Sequence, residues 1–489
     1  MLFSPFRGGV HPDGFKELTS QKPILQAPIP EQLFIPLRQH AGNDALPIVS
    51  AGEKVLKGQL LARGGSGLSA PVHAPTSGHI REIKPVTAAH PSGMECNAII
   101  LIADGDDSPI ERAPFMEDPF GMPPEVLSKK IADAGIVGMG GASFPAAVKI
   151  VAASKHRIET ILINGGECEP YLTADDLLMR ERAEKIVLGA RLIRYTASAR
   201  KISIAIEDNK KEAISAMQEA CKSFDYISVV VVPSRYPMGS AKQMIQAVTG
   251  QEVPAGGRSS DVGVLMHNVA TAYAIAECLT EHRPLISRIV TISGGAVACP
   301  QNVEALIGTP VGELIQCCGG TTEEPSRLLL GGPMMGQIIS TDHVPLIKGV
   351  AGVLALKSKE IPSPSASPCI RCGRCVSACP MGLVPLEMAN HSRQQDFEGA
   401  IDYGLSDCIL CGSCAYVCPS HIPLVHYFQY AKDKISEQKS SQRHMDYVRG
   451  LSESKRIRLE KEASEKAAAK AAKAAKRREK KTPLKVVED

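Results

Sequence analysis

The chain has 489 residues, of which 44% are hydrophobic, and this length is enough for about three domains with cores of their own. Only 4% of the residues are aromatic and tryptophan is absent, which argues against aromatic stacking platforms for nucleic acid, so no nucleic-acid partner is expected. The net charge of +3 conceals a basic tail, because residues 453–489 hold 13 Lys and Arg against 7 Asp and Glu. Such a tail either contacts an acidic partner or an anionic membrane surface, or is solvated and disordered.

The first hundred residues predict an extended segment followed by a small β module. Residues 1–30 are rich in Pro and Gly and are expected to lie extended over a neighbouring domain, and they lack the pattern of a signal peptide. Residues 31–103 alternate short apolar runs with turns. The segments VLKGQLL (55–61) and APTSGHI (74–80) resemble the barrel-sandwich fold of biotinyl and lipoyl carriers. No lysine lies between them, so we predict a structural module and not a carrier.

The remaining chain predicts five further segments. Residues 104–124 form a linker, and residues 125–285 alternate helix and strand patterns, which is typical of an α/β domain. Residues 287–357 resemble a soluble ligand-binding β-grasp unit, with short strands around a helix. Residues 362–435 hold the paired cysteine runs, and residues 436–489 are a charged helical or disordered tail. No apolar stretch is long enough to span a bilayer, so any membrane contact is expected to be peripheral.

Two cysteine runs share one pattern, CIRCGRCVSACP at 369–380 and CILCGSCAYVCP at 408–419. They resemble the α-helical, bacterial-type ferredoxins with two 4Fe–4S clusters, in which the fourth cysteine of each run ligates the other cluster. The resemblance implies one cluster held by Cys369, Cys372, Cys375 and Cys418, and a second held by Cys408, Cys411, Cys414 and Cys379. Zinc is the alternative, although zinc sites use separate Cys-x-x-Cys pairs. Most of the other seven cysteines are expected to be small buried hydrophobes, and reduced thiols indicate the cytosol.

Two segments of the α/β domain indicate a ligand. In GMGGASFP (138–145), a Gly-rich loop precedes a helix, where backbone N–H groups and Lys149 could meet a phosphate, although Gly-rich turns without ligands are common. In ILINGGECEP (161–170), a strand ends at Asn164, followed by Glu167 and Glu169. Sheets of α/β proteins bind ligands at the carboxyl ends of their strands. The alternative is a solvated turn with exposed acids.

Together these segments resemble the FMN- and NADH-binding flavoprotein subunit of respiratory complex I. That family has a Gly-Arg-Gly-Gly-Ala-Gly-Phe-Pro loop and an Asn-x-Asp-Glu-x-Glu-Pro strand end. Phe144 and Glu169 would then face the nicotinamide nucleotide, and Asn268, in LMHNVAT, would contact the flavin. No catalytic acid, base or nucleophile is implied. The cofactor-binding residues implied by the resemblance are Gly138, Gly140, Gly141, Phe144, Lys149, Asn164, Gly166, Glu167, Glu169 and Asn268.

The chain departs from that pattern at several positions. Met139 replaces Arg, Ser143 replaces Gly, and Gly166 replaces Asp. GSAKQM (239–244) stands where the family has an acidic stretch. The loss of these acids is expected to affect NADH binding more than flavin binding.

The order of the segments, with FRGGVHP near the start, resembles the C subunit of the Rnf ion-translocating electron-transport complexes. The resemblance implies a peripheral oxidoreductase subunit on the cytoplasmic face of the bacterial inner membrane. It would pass electrons between NADH and its partners through FMN and two 4Fe–4S clusters. The implied partners are an iron–sulfur subunit and membrane subunits that carry flavin. Two alternatives are a flavin and iron–sulfur reductase of the corrinoid reductase type, and an iron–sulfur relay scaffold without a nucleotide site.

Overall fold

The chain forms two compact units, Met1–Glu387 with Ser406–Val425 and Met388–Leu405 with His426–Asp489. The structure is a computed structural model, and it describes residues 6–111, 118–153, 156–361 and 365–479. Parts of the predicted N-terminal segment, linker and tail therefore lie outside the described residues, namely 1–5, 112–117 and 480–489. The larger unit contains four sheets, which belong to three modules.

The first module is a sandwich of two small sheets. Its sheets have the strand orders β2-β8-β7-β4 and β3-β5-β6. Alternate residues such as Leu33, Ile35 and Ile80 point into one core, which is the pattern of a half-buried strand. The strands in this part of the chain are β1 (Leu25–Gln26), β2 (Gln32–Pro36), β3 (Leu46–Pro47), β4 (Lys54–Val55), β5 (Leu60–Arg63), β6 (Val72–His73), β7 (Gly78–Thr87) and β8 (Glu95–Ala103).

The α/β domain has a four-stranded parallel sheet of order β11-β10-β9-β12 with helices against it. Strand β9, in the interior of the sheet, is buried along its whole length, as expected of a parallel strand covered by helices. The strands are β9 (Thr160–Gly165), β10 (Lys201–Glu207), β11 (Ile227–Val232) and β12 (Val264–Asn268). The helices are α1 (Pro124–Asp133), α2 (Ala146–Ala153), α3 (Ala174–Glu181), α4 (Ala183–Thr196), α5 (Lys211–Cys221), α6 (Ala241–Thr249) and α7 (Val269–Glu281).

The third module is a mixed sheet of order β1-β14-β13-β17-β15-β16. Strand β1, from the N-terminal segment, pairs in parallel with β14, with Leu25 opposite Val303. The segment therefore lies extended along a neighbouring module. The elements are β13 (Ser287–Ser293), β14 (Gln301–Leu306), α8 (Val311–Cys317), β15 (Arg327–Leu330), β16 (Gln337–Ile339) and β17 (Gly352–Leu356).

The two cysteine runs adopt the same backbone conformation in the larger unit. Arg371 and Leu410, at equivalent positions, have φ angles of 54° and 56°. Gly373 and Gly412, with φ angles of 74° and 81°, precede the short helices α9 (Arg374–Ala378) and α12 (Ser413–Tyr416). These helices pack against each other. The sequence repeat is therefore also a structural repeat.

The smaller unit is helical. It includes most of α10 (Pro385–Arg393), all of α11 (Phe397–Asp402) and most of α13 (Leu424–Glu479). Phe397 and Tyr430 contact each other, with ring centroids 6.3 Å apart. Helix α13 crosses the predicted boundary at 435/436 without a break, and residues 436–477 are exposed on every side. In the described residues, no helix combines the length and apolar character needed to cross a membrane.

Candidate functional site

Two asparagines lie side by side at the carboxyl edge of the parallel sheet. Asn268 at the end of β12 is the register partner of Asn164 in β9. The Asn164 side chain accepts from Gly166 N (2.9 Å) and donates to Gly239 O (2.8 Å). The Asn268 side chain accepts from Ala270 N (2.8 Å), which caps α7. Both amides are therefore held in place at the edge where α/β sheets bind ligands.

The Gly-rich loop folds onto this edge. Gly138 N donates to Phe144 O at 2.8 Å, which closes the loop on itself. A Cβ placed at Gly140 would lie 3.4 Å from the Asn268 Cβ, whereas one at Gly141 would meet nothing within 4 Å. Among the described residues, the N–H groups of Gly140, Gly141 and Ala142 donate no hydrogen bond. The loop thus offers unpaired donors beside open space, which suits a phosphate.

Lys149 and His267 lie buried beside β12. The Lys149 ammonium donates to the Met266 carbonyl, and burial lowers its pKa to about 8. His267 is buried and its Nε2 has no hydrogen-bond partner in the described part of the chain. Burial, followed by the charge of Lys149, lowers the pKa of His267 well below its usual range, so the ring is neutral.

A network of buried acids and lysines lies beneath the two asparagines. Glu167 Oε1 accepts from Asp175 N at 2.9 Å, and Asp175 Oδ2 accepts from Asn268 Nδ2 at 2.6 Å. The Lys210 ammonium lies 3.8 Å from Glu167 Oε2 and 3.4 Å from Glu207 Oε2. Burial raises the pKa of Glu167 to about 7, although Lys210 opposes this shift. The network fixes the orientation of Asn268 through Asp175.

Sequence reasoning missed Asp175, Glu207 and Lys210, and also Lys16 and Arg288. Lys16 Nζ donates to the backbone carbonyls of Glu167, Glu169 and Leu172 at 2.8, 3.0 and 2.6 Å. Arg288 donates to the Met139 carbonyl at 2.8 Å, so an arginine contacts the loop although position 139 holds none. Only Glu207 had a local signal, because it ends the apolar run of β10 at the same sheet edge.

Phe144 and Glu169 have different surroundings. Phe144, on the loop, is 37% exposed. Glu169 Oε2 accepts from Met334 N at 3.0 Å, and its Oε1 is enclosed without a hydrogen-bond partner among the described residues. Burial raises the pKa of Glu169 to about 7. Glu169 therefore contacts the turn after β15, and the predicted role of both residues toward a nicotinamide nucleotide stays a prediction.

Two departures from the flavoprotein pattern contact each other. A Cβ at Gly166 would lie 2.6 Å from Met244 Cε and 3.3 Å from Gly239 Cα. The same segment, 239–244, contacts the cysteine runs, because Lys242 pairs with Asp407 at 3.0 Å and Gln243 Nε2 donates to Pro380 O at 3.3 Å. Segment 239–244, which lacks the acidic residues of the flavoprotein family, thus connects the α/β domain to the cysteine runs.

The second cysteine run lies against the sheet edge. The Tyr236 hydroxyl donates to the Cys411 carbonyl at 2.6 Å. A Cβ at Gly412 would lie 3.0 Å from the Met334 carbonyl oxygen. Tyr236, Cys411, Val10 and Ala378 form one apolar cluster, with Cys168 packed against it. Cys168 adjoins Glu167, so the cysteine run and the candidate flavin residues share one region.

Seven of the eight predicted cluster cysteines, all but Cys372, lie near other members of their predicted sets, and the ligand sets themselves stay a prediction. Burial raises the pKa of Cys375, and the nearby thiols of Cys418 and Cys369 raise it further. Burial likewise raises the pKa of Cys414, with further contributions from Cys408, Cys411 and Cys379.

Cys372 is exposed in the first run. No three His, Cys, Asp or Glu side chains in the described residues converge on a single metal ion. A 4Fe–4S cluster does not require such convergence, since each thiolate binds a different iron. Of the seven other cysteines, Cys221, Cys278 and Cys318 are buried, Cys96, Cys168 and Cys317 are half-buried, and Cys299 is exposed.

Four family models match successive parts of the chain. They are the RnfC barrel sandwich hybrid domain at 4–106, the Nuo51 FMN-binding domain at 131–277, the SLBB domain at 289–337 and the 4Fe–4S dicluster domain at 368–422. These matches confirm the predicted fold class, and they confirm FMN and two 4Fe–4S clusters as the cofactors.

Similar proteins extend the match to most of the chain. The C subunit of the ion-translocating oxidoreductase complex of Rhodobacter capsulatus is 48% identical over 90% of this chain and 86% of that protein. The protein of the same description from Haemophilus influenzae (strain 86-028NP) is 44% identical over 94% of this chain and 69% of that protein. A crystal structure of an NAD+-reducing [NiFe]-hydrogenase in the H2-reduced state covers 62% of this chain and 61% of its own, with a TM-score of 0.47 and 16% identity. The two relatives show that the chain belongs to the family of C subunits of the ion-translocating oxidoreductase complex and is an electron-transport subunit.

Proposed function

We propose that FMN binds at the carboxyl edge of the parallel sheet, with its phosphate on loop 138–145 and its ring beside Asn164 and Asn268. Three observations support the fit. The loop has unpaired N–H donors, open space lies beside Gly141, and the two amides are fixed in register. When bound, FMN accepts two electrons together and releases them one at a time, as one-electron clusters require. The side chains of the chain position the flavin and exclude water, and no acid or base is needed.

We also propose the ligand sets of the two clusters. Cluster A takes Cys369, Cys372, Cys375 and Cys418, and cluster B takes Cys408, Cys411, Cys414 and Cys379. The observation that supports these sets is the nearness of each fourth cysteine to the other run, Cys418 to Cys375 and Cys379 to Cys414. The second run also packs on the flavin edge, through Tyr236 and Met334. Cluster B would therefore be the one next to the flavin.

NADH is the proposed two-electron partner, by analogy with the complex I flavoprotein. We further propose an iron–sulfur subunit and membrane subunits with flavin as partners, and the cytoplasmic face of the inner membrane as location. The segment 239–244, which lacks the acids of the complex I flavoprotein family, instead holds Lys242 and Gln243 against the cysteine runs.

The test begins with the absorption spectrum of the reconstituted full chain. We expect flavin bands with about one FMN per chain, and their loss in Asn164→Ala and Lys149→Met. Asn97→Ala, in the barrel module, is the matched control. Wild-type protein without flavin bands would refute the flavin assignment.

An anaerobic NADH titration then tests the electron donor. We expect bleaching of the flavin band, followed by bleaching of the broad cluster absorption. Flavin that stays oxidised would refute NADH as donor while leaving the FMN site intact. Co-sedimentation with membranes only when the other subunits are present would support the complex, and full activity on an acceptor without them would favour the corrinoid reductase type.

A further inference from the structure

The two cysteine runs have the same backbone but opposite exposure. Every residue from 365 to 374 is exposed, including Cys369 and Cys372. In the second run, residues 411–414 are all buried. The repeat therefore has one inner half, packed on the flavin edge, and one outer half, open to solvent.

The outer half combines apolar and basic side chains. Ile370, between two proposed ligands of cluster A, is 67% exposed, and Val376 is 39% exposed. Arg371 and Arg374 are exposed and form no ion pair with any described residue. By contrast, the second run has a leucine and a serine at the equivalent positions, 410 and 413. The two positive charges are thus specific to the outer half.

The turn that carries these side chains is fixed. Arg371 N donates to Cys369 Sγ at 3.3 Å, and Arg374 begins α9, which packs against α12. Ile370 is exposed on a fixed turn, and unpaired arginines lie near it. Protein–protein interfaces have this composition, with an apolar centre, Arg enriched and Lys depleted. A large exposed apolar side chain by itself would need no explanation. Ile370, however, lies directly beside proposed cluster ligands. Its exposure suits a docking site there, because electron transfer requires a partner to approach the cluster closely.

We propose that residues 369–376, here called the outer face, dock a protein that carries a one-electron redox centre beneath an acidic surface. This inference rests on the proposed ligand set of cluster A. The arginines supply attraction and orientation, and Ile370 and Val376 supply the dry contact at the centre. Like charges across an interface are strongly unfavourable, so a basic partner is disfavoured at this face. Contacts of this kind are small and depend on salt, as in other redox encounters.

The test is a binding measurement with the reconstituted full chain. The probe is an acidic two-cluster ferredoxin, and cytochrome c serves as a basic one-electron protein. The variant Arg371→Glu/Arg374→Glu should weaken ferredoxin binding by about tenfold or more at low salt and abolish most of its salt dependence. The matched control is Lys54→Glu/Arg63→Glu, which reverses two exposed charges on the barrel module and should leave the dissociation constant within about twofold.

Three further readouts separate docking from an effect of the arginines on cluster A itself. Iron and sulfide content should be unchanged in the variant, and so should NADH-dependent bleaching of the flavin. If the Glu variant loses iron, Arg371→Gln/Arg374→Gln replaces it and should weaken binding in the same direction. Reduction of a small neutral quinone should be unaffected, whereas a change in cluster potential alone would alter it without altering ferredoxin binding.

Unchanged ferredoxin affinity in the double variant would overturn the inference, and so would an equal loss in the control variant or tighter binding of cytochrome c than of ferredoxin. Failure of the proposed function has a different signature: wild-type chain without clusters, or with flavin that NADH does not bleach.

Discussion

Restoring the aspartate of the flavoprotein pattern, by Gly166→Asp, should lower the stability of the α/β domain and its FMN content. A Cβ at Gly166 would lie 2.6 Å from Met244 Cε and 3.1 Å from Asn164 Oδ1, and the carboxylate extends further. Met244 is fully buried, so its side chain has little room to retreat. Asn164 would be pushed from its 2.8 Å hydrogen bond to Gly239. The added charge also joins Glu167, which burial already keeps partly protonated.

The expected cost follows from these contacts. Overpacking of this kind costs about 1–3 kcal/mol, and the lost hydrogen bond adds roughly 1 kcal/mol. We therefore expect Gly166→Asp to destabilise the α/β domain by about 3 kcal/mol, which lowers the Tm of a domain of this size by roughly 10 °C. FMN retention should fall as well, since Asn164 is a proposed flavin contact.

The assay is thermal unfolding with FMN content measured on the same samples. Gly166→Ala is the matched control, because it makes the same Cβ contacts without the carboxylate; it should cost less than Gly166→Asp, and the difference between the two measures the effect of the carboxylate. In a double-mutant cycle, Met244→Ala should relieve Gly166→Asp by at least about 1 kcal/mol. A Gly166→Asp protein with wild-type Tm and full FMN content would show that the 239–244 segment does not constrain this position.

Three further predictions concern the same region. The pKa of Glu169 is raised from 4.5 to about 7, so the native state binds more protons than the unfolded chain between these values and stability falls as pH rises through that window. Glu169→Gln should remove the share of Glu169 in this fall, at most about 3 kcal/mol, in thermal unfolding from pH 4.5 to 8, while the share of Glu167, whose pKa burial also raises to about 7, remains. Glu95→Gln, at an exposed position, should still follow the wild-type curve. In Gly189→Ala, the new Cβ would overlap the Ala272 carbonyl and force α4 away from α7. The free energy of unfolding should therefore fall by about 2 kcal/mol or more, measured by thermal or denaturant unfolding. Gly121→Ala, whose Cβ meets nothing within 4 Å, should leave it nearly unchanged. Tyr236→Phe leaves the Cys411 carbonyl without its hydroxyl donor and should cost about 1 kcal/mol and speed iron loss in air, unlike Tyr447→Phe on the exposed helix; equal iron loss in the two would contradict the role of Tyr236.

Features with local causes could be predicted from the sequence. The cysteines of the two runs repeat at fixed spacing, and the shared φ angles at Arg371 and Leu410 show that this spacing encodes the turn. The strand end at Asn164 could be predicted because an apolar run stops there, and parallel pairing places Asn268, which only the resemblance indicated, beside it. The family models confirm the predicted fold class, with its FMN domain and its cluster domain. The domain boundaries and the individual flavin residues stay predictions.

Features set by distant contacts could not be predicted in this way. Lys16 reaches the carbonyls of Glu167 and Glu169 from about 150 residues away in sequence, and a lone lysine in a Pro- and Gly-rich segment has no local signal. Arg288 reaches the Gly-rich loop from another module. The change at 239–244 suggested only a loss of acids, because the partner that gives Lys242 its role, Asp407, lies far along the chain.

The N-terminal segment makes several of these distant contacts and connects three parts of the larger unit. Gly9 N donates to Ala378 O at 2.9 Å beside the first cysteine run, Val10 pairs with Tyr236, and β1 extends the β-grasp sheet. At Gly8, with a φ of 68°, any Cβ would collide with the Cys379 carbonyl, so only glycine lets the segment pass so close to the cysteine run. One stretch of chain thus joins the cysteine runs, the α/β domain and the β-grasp unit. Electron transfer depends steeply on distance, so in the proposed arrangement this segment would help to hold the separation between the flavin edge and cluster B. Gly8, which has no cofactor chemistry of its own, is then constrained by its close approach to a proposed cluster ligand.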